Sequence, residues 1–370
     1  MRPTTALLRR WTRRALFSAA FASPLLADVE KGRIFPSEVR RFADPATELE
    51  VHRLTSADFS SRLPAYYLSA VTRRSDSLLY SSDRTGTWQA YRMDLKTGDS
   101  LQLTEAKLLN ANSLTLMPDE RSFCCVDGPS LRQVEFSRLR EREIYRAPEG
   151  WELSTQASVS RDGLNAVFVE TQGPNYRLRL LRFAQAGAVT LLDGSLPISD
   201  PQIRPKGAQI LYRQAGEALW VVGPDGRGRQ KLKTPPGKVG PAFWAPDGSK
   251  VLYLHYPQES GRLNAIREID PGDNQDKMVS STSQFVHFGA NRDTSVFVGA
   301  SRNMPSPHVL LLLRLTRREF TLCEHRSANP SDVSPIFSPN SQQIFFQSDK
   351  FGKPAIFRVR VDKLVEETAQ

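Results

Sequence analysis

The chain has 370 residues, 39% of them hydrophobic, with five Trp and nineteen Phe, which is enough apolar material for one large or two ordinary domains and too much for a disordered chain. Its formal net charge is +10, but five arginines and no acid fall in the first 27 residues, so the rest carries only +5. That modest excess, with no Lys/Arg run interleaved with aromatics, argues against a nucleic-acid groove and leaves other polyanions, acidic polysaccharide among them, as compatible ligands.

In chain order, the first element is a leader. Basic residues precede the mostly apolar run from Ala15 to Leu26, and Ala27 stands before Asp28, the layout of an export signal over residues 1–27. Thr12-Arg13-Arg14-Ala15-Leu16-Phe17 further resembles a twin-arginine signal, which would send the folded protein to the periplasm or beyond. No later stretch approaches the roughly 20 apolar residues that span a bilayer. Residues 28–48 read as an extension, and residues 49–370 as one domain.

That domain repeats. Frames of the form apolar, polar turn, apolar run recur with anchors at Val71, Leu116, Val159, Ile203, Trp244, Gly289 and Phe337, at intervals of 41 to 48 residues. Each frame reads as strand, turn and buried strand, and each is followed by another alternating strand and a compact turn such as LKTGDS or GPDGRG. Four short strands in a unit of this length make the blade of a β-propeller. The expected fold is therefore all-β with seven blades. The last unit lacks an outer strand, and Leu49-Glu50-Val51-His52-Arg53-Leu54-Thr55 repeats the pattern of one, so a strand at about 49–56 should complete the last blade and close the ring. The motifs SSDRTG (81–86) and QSDKFG (347–352) then read as one turn in the first and last blades. Cys124, Cys125 and Cys323 have neither disulfide nor metal-ligand spacing and read as packing residues.

WAPDGSKVLY and FSPNSQQIFF resemble the repeats of TolB-like propellers. Over residues 49 to 360 a closer resemblance, carried by HRLTSADFSSRLPAYY, DLKTGDSLQLTE, FWAPDGSKVLYLHY and SPIFSPNSQQIFFQSDKFGKPAIF, is to the oligogalacturonate lyase family. The resemblance implies β-elimination on an acidic pectin oligosaccharide, in which a base takes the proton beside the uronate carboxylate and a manganese ion stabilises the developing charge. It places the family's catalytic Arg on Arg204 and one metal-binding His on His287. The family's base position falls on Pro241, which cannot take a proton. Its remaining metal positions fall near Asn329 and on Asp332-Val333-Ser334, so an incomplete manganese site of His287, Asn329 and Asp332 is expected.

From the residues themselves, Arg62 with Tyr66 and Tyr67 in SRLPAYY suits carboxylate pairing and sugar stacking, although the tyrosines could equally pack between blades. His255 stands as a substitute base, and His52, His308 and His325 read as surface residues. Two functions follow: an exported lyase-like protein that acts on or binds oligogalacturonides, or a catalytically inert propeller that binds another envelope protein. Either is expected as a monomer or weak oligomer.

Overall fold

A computed structural model describes residues 30–366 except 155, 186 and 217, so the expected leader lies outside the described residues. Among the described residues the strands form seven separate antiparallel sheets, with a single short 3₁₀ turn at Pro330–Asp332. Each sheet is one blade, and six of the seven anchors lie in the inner strands, while Val71 of the first makes only an isolated bridge with Leu78. In blade 5, for example, Gly237–Trp244 is the inner strand, a turn over WAPDGS reverses the chain, and Val251–Pro257, Ala265–Asp270 and Gln275–Ser281 follow outward. The turn closes through Ala245 N–H to the Lys250 carbonyl and Gly248 N–H to the Ala245 carbonyl.

The ring closes as expected. Glu50–Arg53 pairs antiparallel with Ala355–Arg360, with Val51 opposite Val359 and Arg53 opposite Phe357. The described part of the expected extension, residues 30–48, is not a free-standing segment, however. Ile34–Phe35 adds an edge strand to blade 1, and Arg40–Ala43 adds one to blade 7, so this stretch straps the outside of the seam. An ion pair of Glu38 with Arg84, at 2.6 Å and with the Arg side chain almost fully buried, holds the strap down. Gly98 explains how close it comes. Its φ is +85°, and a Cβ there would lie 2.2 Å from Ser37 Oγ, so only glycine lets the turn of LKTGDS and the strap share that space.

Apolar side chains fill the wedges between blades. At the seam, Leu54, Leu63, Val71, Leu78, Tyr80 and Tyr91 pack with Phe345 and Ile356 of blade 7. Each such side chain contributes about 1.5–3 kcal/mol when fully buried, so closing the seam recovers apolar burial that an open array would forfeit. The three cysteines are free and buried, and burial pushes the Cys124 thiol up to about 12.

The paired motifs share one mechanism. Asp83 of SSDRTG accepts from the Ser60 amide at 2.8 Å, and Asp349 of QSDKFG accepts from the Ala328 amide at 3.0 Å. Asp127 does the same for Leu108 at 2.7 Å. In each case the carboxylate at the end of the second strand pins the loop that leads to its own blade's inner strand. Two surface assignments are corrected. His52 and His325 are buried, because His52 lies in the closing strand between Glu50 and Arg358, while His325 bonds the Ser301 carbonyl and accepts from the Ser327 amide.

Candidate functional site

The mouth of the central channel is bounded by segments that lead into the inner strands. Arg62 ends the short inner strand Ser61–Arg62, and residues 63–68 then leave the strand path and cross the channel before the chain rejoins its blade at Val71. Pro64 breaks the ladder at the start of this excursion, because it has no N–H to donate. Tyr66 anchors the far end. Its hydroxyl accepts from the Ala242 amide and donates to the Ala242 carbonyl, both at 3.1 Å, so a loop from blade 1 is fixed to the inner strand of blade 5. Tyr67 donates to Gln156 Oε1 of blade 3 at 3.1 Å.

The strands that receive this loop are irregular at the same depth. Blades 4, 5 and 6 each carry a bulge in the inner strand, between Ser199 and Gln202, between Val239 and Ala242, and between Phe285 and His287. A bulge frees carbonyls from the ladder, and buried carbonyls need donors. Arg213 supplies them in blade 5, donating to Val239 at 2.8 Å and Gly240 at 2.5 Å while its Nε pairs with Asp200 at 3.2 Å. The Tyr256 hydroxyl supplies one in blade 6, donating to the Val286 carbonyl at 3.0 Å. Pro241 lies in the blade 5 bulge.

His287 sits beside Tyr66, ring centroids 4.7 Å apart and planes at 82°. It is 7% exposed, its Nδ1 is buried with no partner, and burial lowers its pKa to about 4, so the imidazole is neutral. Phe243 and Tyr67 approach Tyr66 edge-on at 6.0 and 5.1 Å. The Tyr66 ring is thus largely committed to packing across the channel. Desolvation and the nearby Asp200 carboxylate keep its phenol protonated well above the usual range.

Above this plug lies a cavity of about 190 Å³ lined by Arg62, Tyr66, Asn112, Gln156, Asp332 and Gln347, among others. The Arg62 guanidinium has no hydrogen-bond or ion-pair partner among the described residues, although Asp332 shares the lining. Gln347 ties two walls together, accepting from the Leu63 amide at 3.0 Å and donating to the Asp332 carbonyl at 2.6 Å.

The structure brings Arg62, Tyr66 and Asp332 to one mouth, with His287 beneath Tyr66. Arg204 is not there. It follows the inner strand of blade 4, in the turn at the strand's far end, where Nε donates to the Gly248 carbonyl at 2.7 Å, Nη1 donates to Gln209 at 2.7 Å, and the guanidinium lies 5.1 Å from the Trp244 ring. Its donors serve a contact between the turns of two blades. Asn329 is exposed, and its side-chain oxygen caps the 3₁₀ turn by accepting from the Ser331 amide at 3.2 Å. His255 is buried, with Nε2 on the Pro236 carbonyl at 3.0 Å. Asn112, Gln156, Gln347 and Arg213 were not singled out from the sequence. Their positions depend on irregular loops and bulges that the repeating frame does not encode.

Comparison with known proteins bears out the family resemblance. Residues 29–178 match the family model described as oligogalacturonate lyase. The oligogalacturonide lyase of Pectobacterium atrosepticum is 24% identical over 90% of this chain and 98% of its own length. A solved oligogalacturonate lyase in complex with manganese superposes with a TM-score of 0.84 at 24% identity, covering 89% of this chain and 98% of that one, which establishes the seven-bladed fold. The TolB protein of Nitratidesulfovibrio vulgaris is 29% identical over a shorter stretch, 36% of this chain and 29% of its own.

Manganese can be tested against the residues present. Among the described residues, no three His, Cys, Asp or Glu side chains come together. His287 offers one unpartnered nitrogen, but the Tyr66 ring lies against it, Asp332 faces solvent, and the Asn329 oxygen is spent on its cap. A manganese centre needs several converging oxygen or nitrogen donors. This set does not fit one.

Proposed function

We propose that this lyase-like propeller is an exported protein that binds acidic pectin oligosaccharides at its channel mouth, without manganese-dependent elimination. The observation that carries the reading is Arg62. An unpaired guanidinium, set in a recess that Asn112 also lines, offers a two-pronged contact for a uronate carboxylate, with the Asn112 amide as a neutral partner for a sugar hydroxyl. The oligogalacturonide as ligand is supported by the likeness to lyases that spans nearly the whole chain. Export rests on the basic and apolar leader at 1–27.

Elimination would need a base near the proton beside the carboxylate, and loss of a general base typically costs on the order of 100- to 10,000-fold in rate. Pro241 has no titratable group, and the neutral His287 ring is covered by Tyr66. The likeness to named lyases nevertheless favours a second reading, in which weak elimination persists. One experiment separates the two. Mature protein is titrated with trigalacturonate by calorimetry, and the same mixtures, with and without manganese, are followed for near-ultraviolet absorbance of unsaturated product. Binding that weakens about tenfold or more in Arg62→Ala, with no product, supports the proposal. Product formation establishes the second reading, and absence of any binding overturns both.

A further inference from the structure

A second cavity, of about 220 Å³, lies at the seam where the ring closes, and none of its lining residues lines the channel mouth. It is bounded by Ser37, Val39 and Arg41 of the strap, by the blade 1 turn from Leu95 to Gly98, and by Arg358 of the blade 7 strand that receives the closing strand. Three cations, Arg41, Lys96 and Arg358, therefore meet in one recess, contributed by three segments that are far apart in sequence. No carboxylate lines it.

The charge there is only partly balanced within the protein, by the Glu50 carboxylate. No ion pair is formed by Arg41, Lys96 or Arg358 among the described residues. Arg358 donates Nη1 to the Leu95 carbonyl at 3.1 Å and to Gln343 at 3.3 Å, and Nη2 meets His52 Nδ1 at 2.7 Å, all neutral partners. Its Nε–H is buried with no acceptor at all. Arg41 and Arg360 oppose its charge, and the one carboxylate that favours it, Glu50, is bonded to His52 instead. The carboxylates of the neighbouring blade 1 turn are directed at backbone amides and pair with none of the three cations. Asp94 accepts from the Lys96 and Thr97 amides, and Asp99 accepts from the Ser37 amide.

A partly buried guanidinium beside the like charge of Arg41, in a recess that Lys96 also lines, favours an anion there. A single carboxylate would meet one charge, whereas a tetrahedral dianion supplies several acceptors and roughly two charges to three separated donors. Hydroxyls of Ser37 and Thr97 line the same recess as additional donors. We infer that this seam cavity is an anion site for a phosphate group, which ties the N-terminal strap, the first blade and the last blade together. The group could be free phosphate or the headgroup of a phospholipid, since both present the same oxygens.

The test uses the mature protein. Inorganic phosphate is titrated by calorimetry at constant chloride, against the double variant Arg41→Ala/Lys96→Ala, against Arg358→Gln, and against Arg62→Ala as a control at the channel mouth. The site predicts binding that weakens at least tenfold in the double variant and in Arg358→Gln while Arg62→Ala binds as the parent does. Both positions in the double variant are exposed, so it is expected to keep the fold and the inference stays testable if Arg358→Gln is unstable. A parallel arm measures cosedimentation with vesicles of phosphatidylcholine alone and with added phosphatidic acid. Capture by phosphatidic acid that is lost in the double variant assigns the group to a lipid headgroup, and phosphate binding without capture assigns it to the free ion. Unchanged phosphate affinity in the double variant, loss of binding in Arg62→Ala alone, or no binding of either probe overturns the inference.

Discussion

Tyr66→Phe removes one oxygen and tests whether the loop at 63–68 is a built plug of the channel. The hydroxyl meets both the N–H and the carbonyl of Ala242, a residue only 2% exposed, within the blade 5 bulge. The carbonyl keeps a second donor after the substitution, because Gln202 Nε2 reaches it at 2.8 Å. The amide keeps none. Leaving a buried amide unpaired costs about 1–3 kcal/mol, and the phenyl ring preserves the contacts with His287 and Phe243, so the loss should be about 2 kcal/mol. Using roughly 2.1 cal/mol/K of unfolding entropy per residue, a chain of this length loses about 3 °C in Tm. Scanning calorimetry of both proteins measures the shift, and hydrogen exchange reports the Ala242 amide directly. A Tm within 1 °C of the parent together with unaltered protection at Ala242 would refute the claim that this hydroxyl bridges the two blades.

His287 is held neutral with a pKa near 4 against an ordinary 6.5, so the unfolded chain binds more protons between those values and stability falls as pH drops through that window. The contribution is at most roughly 3 kcal/mol, and His287→Gln should flatten the dependence of urea midpoint on pH between about 6.5 and 4; an unchanged slope would count against the buried neutral ring. Arg204→Ala should leave trigalacturonate affinity within about twofold while lowering stability by about 1–2 kcal/mol, since its donors serve Gly248 and Gln209; a tenfold loss of affinity would return it to the binding site. Millimolar manganese should not raise Tm. A micromolar site would add about 4 kcal/mol under those conditions, so an increase of several degrees that EDTA reverses would contradict the poor fit of the ligand set.

The scaffold was legible because it is periodic. A turn such as WAPDGSK reverses the chain through bonds among its own residues, and the Asp of SSDRTG or QSDKFG finds an amide in its own blade, so local sequence states what the local structure does. The closing strand was legible as well, since an outer-strand pattern at one end matched a vacancy at the other. The site was much less so. Arg62, Tyr66 and Asp332 were named from the sequence and do share the mouth, but Gln347, Gln156 and Asn112 sit in positions that no frame distinguishes. Arg204 stood out by its place in a motif, yet its partners are a turn carbonyl and a glutamine.

What the sequence by itself determined is the repeat: seven units with their strands and turns. Which side chains face one another across the channel and across the seam was decided only by tertiary structure. Tyr66 and Ala242 are 176 residues apart, and His52 and Arg358 are 306 apart. Such contacts arise because a ring brings all seven inner strands to one axis and both chain ends to one blade. Bulges then turn selected carbonyls and side chains into that shared space. Their partners are set by the geometry of closure, which no single repeat contains.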